Sequence, residues 1–188
     1  MSAPDWQAPG PTLETARLIL RPTAMADFER WCDFQSDPEA TRFLGGPTGP
    51  NATWRIMMSI AGAWTLTGAG FFSVIEKSTG QWLGRVGPWF PHLAPGPEVG
   101  WSLHRDAQGK GYALEAAAAS MDYAFDVLGW SEVIHCVAPD NLASAKIAAR
   151  LGSTNKGPGQ LPPPFETVEI DIWSQTRAEW AVNRSDLI

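Results

Sequence analysis

The chain changes its hydrophobic period once, abruptly, across a glycine-rich turn, and few folds accommodate that change. Before the turn, residues 70–76, 81–90 and 98–104 read as three strands. Lys77-Ser78-Thr79-Gly80 forms a polar turn between the first two, which therefore pair as an antiparallel hairpin. After it, Leu114, Ala117, Ala118, Met121, Phe125 and Leu128 fall on one face of a long helix that Gly129 stops. Gln108-Gly109-Lys110-Gly111-Tyr112-Ala113 joins the two regimes. A meander of strands running straight into an amphipathic helix requires a mixed α/β layer architecture.

The flanking segments extend this pattern. Residues 15–22 read as a strand closed by Pro22, and residues 26–44 as a helix broken at Pro38 and ended by Gly45-Gly46-Pro47. A second helix opens at the N-cap Asn51 and runs to about residue 66. Beyond the long helix come a buried strand at 133–137, a short helix at 142–151 stopped by Gly152, a Gly/Pro loop at 157–164, a strand at 167–173 and a closing helix. No internal repeat occurs. Residues 1–12 are Pro-rich and polar and read as a flexible arm, leaving residues 13–188 as a single domain.

A domain of 188 residues buries roughly 70% of the surface its unfolded chain exposes, enough for a core without staples. Its two cysteines, Cys32 and Cys136, sit in apolar stretches as small hydrophobes, without ligand spacing, so no metal site is expected. A formal net charge of −6 argues against nucleic acid or acidic lipid as partners. No stretch is apolar for long enough to cross a bilayer, and the N-terminus carries neither the positive region nor the apolar run of a secretion signal. A cytoplasmic location follows, and a homodimer is compatible with everything above.

The turn before the long helix is an anion site built from backbone. Small residues allow close approach, and the free N–H groups of the first helical turn sit at the positive end of the helix dipole. A Walker loop needs a hydroxyl after Gly-Lys, and Gly111 stands there instead. A dinucleotide fingerprint needs a small residue where Leu114 lies. Gln108, Gly111 and Ala113 match Gln-x-x-Gly-x-Ala, which resembles the pyrophosphate loop of the GNAT acetyltransferase superfamily. Asn141-Leu-Ala-Ser144 with Arg150-Leu-Gly152, Arg17-Leu-Ile-Leu-Arg-Pro22 and Glu98-Val-Gly-Trp101 resemble the branch that acetylates ribosomal-protein N-termini, the RimJ/RimL-like enzymes. Two departures stand out. Ser153 follows Gly152 where that branch has Phe, and Ala148 lies where other GNAT branches carry a Tyr that acts as general acid, so no tyrosine can do the proton work there.

The resemblance implies an α/β (α+β) fold with a mixed, mostly antiparallel central sheet and helices on both faces. It also implies acetyl-CoA as co-substrate and direct attack by a primary amine. The amine would be a protein N-terminus, or alternatively a polyamine or an aminoglycoside. A coenzyme-binding sensor without catalysis is the reading from a different class. Coenzyme-binding residues implied in this way are Trp101, Ser102, Leu103 and His104 on the central strand, Gln108, Gly109, Lys110, Gly111, Tyr112 and Ala113 on the loop, and Asn141 with Ser144. A backbone N–H near Ser102 to His104, on a bulge that splays the strand, would meet the thioester oxygen. Glu98 is the candidate base or amine-orienting group, against the alternative of a solvent carboxylate at a strand start. Ser144 is the candidate proton source for the leaving thiolate, against a bond back to the Asp140 carbonyl. His135 reads as a hydrogen-bonded core residue, His104 as a strand-end surface residue and His92 as a loop residue, while Trp54, Trp64, Trp89 and Trp101 read as core packing, with an aromatic wall around the acceptor as the alternative.

Overall fold

The computed structural model describes residues 9–187. Most of the arm expected over residues 1–12 therefore lies outside the described residues. Eight strands form one sheet: β1 (Leu13–Glu14), β2 (Leu18–Arg21), β3 (Phe72–Glu76), β4 (Trp82–Trp89), β5 (Glu98–Leu103), β6 (Glu132–Val137), β7 (Thr154–Gly159) and β8 (Ile170–Thr176). Their spatial order is β1-β2-β3-β4-β5-β6-β8-β7. Every neighbouring pair is antiparallel except β5 and β6, which run parallel. The helices are α1 (Phe28–Ser36), α2 (Pro38–Thr41), α3 (Pro50–Thr67), α4 (Tyr112–Asp126), α5 (Leu142–Arg150) and α6 (Arg177–Asn183).

The two periods seen in the sequence become the two sides of the core. Leu18, Leu20, Phe72, Val74, Val86 and Val99 are buried on the sheet, and Ala116, Ala117, Met121, Ala124 and Phe125 are buried on α4, which packs across β4 and β5. On the other side, α1 brings Trp31 and Phe34 onto Trp82, with ring centroids 5.4 and 6.0 Å apart. Residues directly opposed in a ladder share a face. Ser73, Arg85 and Ser102 therefore form one polar row across β3, β4 and β5, and Trp89 stands opposite Glu98 on the same face.

The break expected at Pro38 is present: Pro38 cannot continue α1, and Asp37 restarts the chain by accepting the N–H groups of Glu39 and Ala40. Two differences from the sequence reading have physical causes. Part of the Gly/Pro loop belongs to β7, an edge strand that tolerates Gly157 and Pro158 through an irregularity between Asn155 and Pro158. The bulge expected at Ser102 to His104 is absent, since β4 and β5 pair in unbroken register from Gly84↔Leu103 to Trp89↔Glu98. The irregularity lies one strand over, between β3 and β4, where Val74 pairs with Gly84 and Ile75 with Trp82. Gly84 adopts φ +151°, and a Cβ there would stand 2.3 Å from the Ser102 carbonyl oxygen, so a side chain would push β5 off β4.

Candidate active site

The parallel strands β5 and β6 meet at one point and then part. Glu98 pairs with Ile134, whose N–H donates to the Pro97 carbonyl at 2.9 Å. The next rung would join Cys136 N–H to the Val99 carbonyl. Side chains intercept both groups: His135 Nδ1 lies 2.6 Å from the Val99 oxygen, and Cys136 N–H points to Glu98 Oε1 at 3.4 Å. The Val99 oxygen can only accept, so Nδ1 carries the proton and Nε2 accepts from Ser153 Oγ at 3.0 Å. Ser153 accepts in turn from Gln175 Nε2 at 2.9 Å, and burial pushes the imidazole down to about 4, leaving it neutral. The residue that departs from the RimJ/RimL-like pattern after Gly152 thus completes a buried chain that holds the ladder open.

The carbonyls of Pro97, Val99 and Leu103 accept from Ile134, His135 and Gln108, all away from β4, whereas His104 N–H donates to Leu83 on β4. Strand alternation therefore turns the backbone of Trp101 into the gap between β5 and β6. His104 N–H is committed elsewhere, so the backbone donors facing the gap narrow to Trp101 and Leu103. The Trp101 ring lies 4.9 Å from His135, and its Nε1–H donates to Ser144 Oγ at 3.2 Å. Asn141 caps α5 by accepting Ser144 N–H at 3.1 Å. Asn141, Ser144 and Trp101 thus converge on the opening, and the Ser144 hydroxyl makes no bond back to the Asp140 carbonyl.

Glu98 sits at the apex of the gap. Its carboxyl lies against Cys136 and 3.3 Å from the Cβ position of Gly100, and burial pushes it up to about 7, against the pull of Cys136 N–H and Arg85. The same carboxylate and burial raise the Cys136 thiol well above its ordinary value. Both cysteines are free and half-buried, so the expectation of plain buried hydrophobes holds only in part. Arg85 lies on the same face, with its guanidinium 4.9 Å from the Phe71 ring, which stacks on Trp89.

At the other end of the opening, Gly111 takes φ +82° as the N-cap of α4 and supplies no side chain to its first turn. Gly109 also has positive φ, and a Cβ there would meet nothing within 4 Å. Gln108 anchors the loop by donating from Nε2 to the Leu103 carbonyl at 3.0 Å. Arg17, half a chain away in sequence, binds the Lys110 carbonyl through Nη1 at 2.9 Å and Glu115 through Nε at 2.7 Å, and covers the Tyr112 ring. Tyr112 is buried and its hydroxyl bonds Glu76; Ala113 packs on the core. Gln108, Gly109, Lys110 and Gly111 are exposed, and Ser102 faces Arg85 rather than the gap. A cleft of about 500 Å³ runs from Gly111 along the outer face of α4 to Arg150 and Arg184.

The histidines fall as the sequence reading has them for His135 and His92, while His104 is half-buried with Nδ1 2.9 Å from Asp106. Of the aromatic candidates, Trp64 belongs to the core beside Phe72 and Tyr123, Trp54 packs edge-on to Phe28, and Trp89 and Trp101 border the Glu98 region. Sequence reasoning assigns no site role to Arg17, Arg85, Phe71 or Ser153, although Arg17 opens one of the family-like motifs and Ser153 stands out as a departure from another. Arg85 gave a signal of its own, as a charge inside the otherwise apolar strand at 81–90. Among the described residues, no group of three or more His, Cys, Asp or Glu side chains is arranged to hold a metal, and no helix is long and apolar enough to cross a membrane.

Comparison with known proteins adds an independent line. Residues 17–154 match the family model described as an acetyltransferase (GNAT) domain. The "Uncharacterized N-acetyltransferase p20" of Bacillus licheniformis is 33% identical over 149 residues, covering 78% of this chain and 84% of the relative. The "FsC-acetyl coenzyme A-N(2)-transacetylase" of Aspergillus fumigatus is 30% identical over 190 residues, covering 90% and 78%. The crystal structure of an acetyltransferase from Agrobacterium tumefaciens superposes with a TM-score of 0.80 at 33% identity, covering 94% of this chain and all of the other.

Proposed function

The chain belongs to the GNAT acetyltransferase family and is an acetyl-CoA-dependent acyltransferase, and from that premise we propose that the opening between β5 and β6 delivers the acetyl group to a primary amine held beside Glu98. The observation that carries this reading is the interrupted ladder, which leaves the Trp101 backbone facing an open edge on the strand that begins with a carboxyl poised near neutrality, Glu98. The residues present fit the coenzyme. An extended pantetheine arm can pair with the free edge of β5 as an added strand. Gly109 and Gly111 leave the α4 N-terminus clear for a pyrophosphate.

Each residue then has a chemical task. The Trp101 N–H stabilises the charge that develops on the thioester oxygen, a contribution of about 2.7 to 4 kcal/mol for a well-aimed donor. Glu98 accepts the proton that the amine loses as its nitrogen bonds the acyl carbon and the C–S bond breaks. The Ser144 hydroxyl donates a hydrogen bond that stabilises the departing thiolate, which then takes its proton from solvent, while Trp101 Nε1–H holds that oxygen in place. Replacing Ser144 with Ala is expected to lower turnover about tenfold with little change in coenzyme affinity, measured by steady-state kcat beside equilibrium binding. An unchanged kcat returns Ser144 to a packing role.

The acceptor read first is a protein N-terminus, on the resemblance of the Asn141–Ser144 and Arg150–Gly152 segments to the RimJ/RimL-like branch. A small-molecule amine is the second reading, favoured by the N(2)-transacetylase name of the Aspergillus relative. Free-thiol release from acetyl-CoA, followed against N-terminal peptides, polyamines and aminoglycosides, tests both. Release that depends on peptide supports the first, and release that depends only on small amines supports the second. Coenzyme binding without any amine-dependent release contradicts the transfer reading.

A further inference from the structure

Arg85 is a charge in the middle of the sheet that, among the described residues, has no paired carboxylate. Its Nε is buried without a hydrogen-bond partner, and among the described residues the guanidinium forms neither an ion pair with a carboxylate nor a hydrogen bond. The groups around it on the same face are Ser73 and Ser102 across the ladders, the Phe71 ring and, further off, Glu98. None supplies a bidentate acceptor. Ser73 Oγ is already engaged, donating to Asp27 and receiving the Trp82 indole N–H. Glu98 is turned to Cys136 N–H and, raised toward neutrality, is a weak counter-ion at pH 7.

Arg85 is half-buried, its Nε is shielded from water without a partner, and the planar fork of arginine is matched bidentately by an oxyanion such as a carboxylate or a phosphate. The same face carries Glu98, and the Phe71 ring borders both groups, 4.9 Å from the Arg85 guanidinium on one side and beside Gly100 on the other, where an added Cβ would stand 3.3 Å from Glu98 Oε1.

We infer that Arg85 receives a carboxylate on the acceptor, so that the substrate of this site is a primary amine that also carries a carboxylate, its nitrogen toward Glu98 and its anion toward the Arg85–Phe71 pair. This rests on the amine-acetylation reading above and refines it, since it disfavours polyamines and neutral amines. A free amino acid and a peptide with an acidic residue next to its N-terminus share that chemistry.

The test compares matched acceptors on the intact protein: free amino acids and their carboxamides, acidic dipeptides and their neutral counterparts, and spermidine. Thiol release from acetyl-CoA gives kcat/KM, and thermal shift reads acceptor binding apart from turnover. A carboxylate preference of about ten- to a hundredfold over the matched amide is expected, the range of a charge-assisted hydrogen bond. Arg85→Met, which keeps the apolar volume, is expected to bring the ratio near one through KM, and Arg85→Lys to restore part of it. The arm with the larger kcat/KM, amino acid or acidic peptide, identifies the source. Equal turnover of acid and amide in the wild type, or a preference that survives in Arg85→Met, overturns the assignment while leaving amine acetylation intact. Absence of transfer to every amine, with coenzyme binding retained, overturns both.

Discussion

Replacing Glu98 with Gln is expected to lower kcat/KM about a hundredfold at pH 8 and much less at pH 5.5. The carboxyl titrates near 7, so below about pH 6 the wild-type residue is already protonated and accepts no proton. The difference between the two proteins therefore opens as pH rises through 7. It narrows again above the acceptor amine's own pKa, about 8 for an α-amino group and about 10.4 for a lysine, where solution supplies the free base. A defect constant from pH 6 to 10 would make Glu98 a positioning group, and no defect would remove it from the site.

The same substitution has an opposite signature in stability. Folding raises the Glu98 pKa from 4.5 to about 7, so the folded state holds a proton that the unfolded chain has lost. Such a group favours folding fully below the unfolded value, and that advantage fades as pH rises from about 4.5 through 7. At pH 8 the buried charge costs up to roughly 3 kcal/mol, an upper figure because the residue keeps some solvent contact. Glu98→Gln is thus expected to raise Tm by several degrees at pH 8 and to leave it nearly unchanged at pH 4. A variant less stable at pH 8 than at pH 4, relative to wild type, would mean the carboxylate is stabilised rather than strained.

Replacing Gly111 with Val is expected to weaken coenzyme A binding more than a hundredfold, an effect of about 3 kcal/mol. Gly111 holds φ +82°, where a β-branched residue is strained by roughly 1 to 3 kcal/mol. Its side chain would also stand 3.4 Å from Arg17 Nη2 and occupy the space in front of the first turn of α4. Binding by calorimetry, on protein shown to be folded by circular dichroism, separates the two effects. Retained affinity in a folded variant would place the pyrophosphate away from Gly111.

The fold was legible to the extent that its hydrophobic periods were clean. Leu114 to Leu128 shows one face at helical spacing, and α4 lies where that face requires. β7 was hidden because an edge strand needs only one hydrogen-bonded side, so Gly157 and Pro158 disguise it as loop. A splay of the central strand is expected from a bulge near Ser102 to His104, whereas β5 leaves β6 without one. Two side chains intercept one rung, and no local pattern announces that His135 and Glu98 from different strands will face the same ladder. The anion loop could be read because backbone chemistry follows chain order at Gly109 and Gly111. The role of Arg17 could not, since its partners Lys110 and Glu115 stand nearly a hundred residues away, and the charge of Arg85 within strand 81–90 was visible without anything to say what it faces.

The claim on which the rest depends is that the open edge of β5 receives the acylated arm of the coenzyme, and amide hydrogen exchange with acetyl-CoA or ADP bound addresses it directly. Acetyl-CoA is expected to protect both the Trp101 amide, through its thioester oxygen, and the first turn of α4, whereas ADP, which has the pyrophosphate without the arm, protects only the α4 turn. Trp101 exchange left unchanged by saturating acetyl-CoA would contradict the placement.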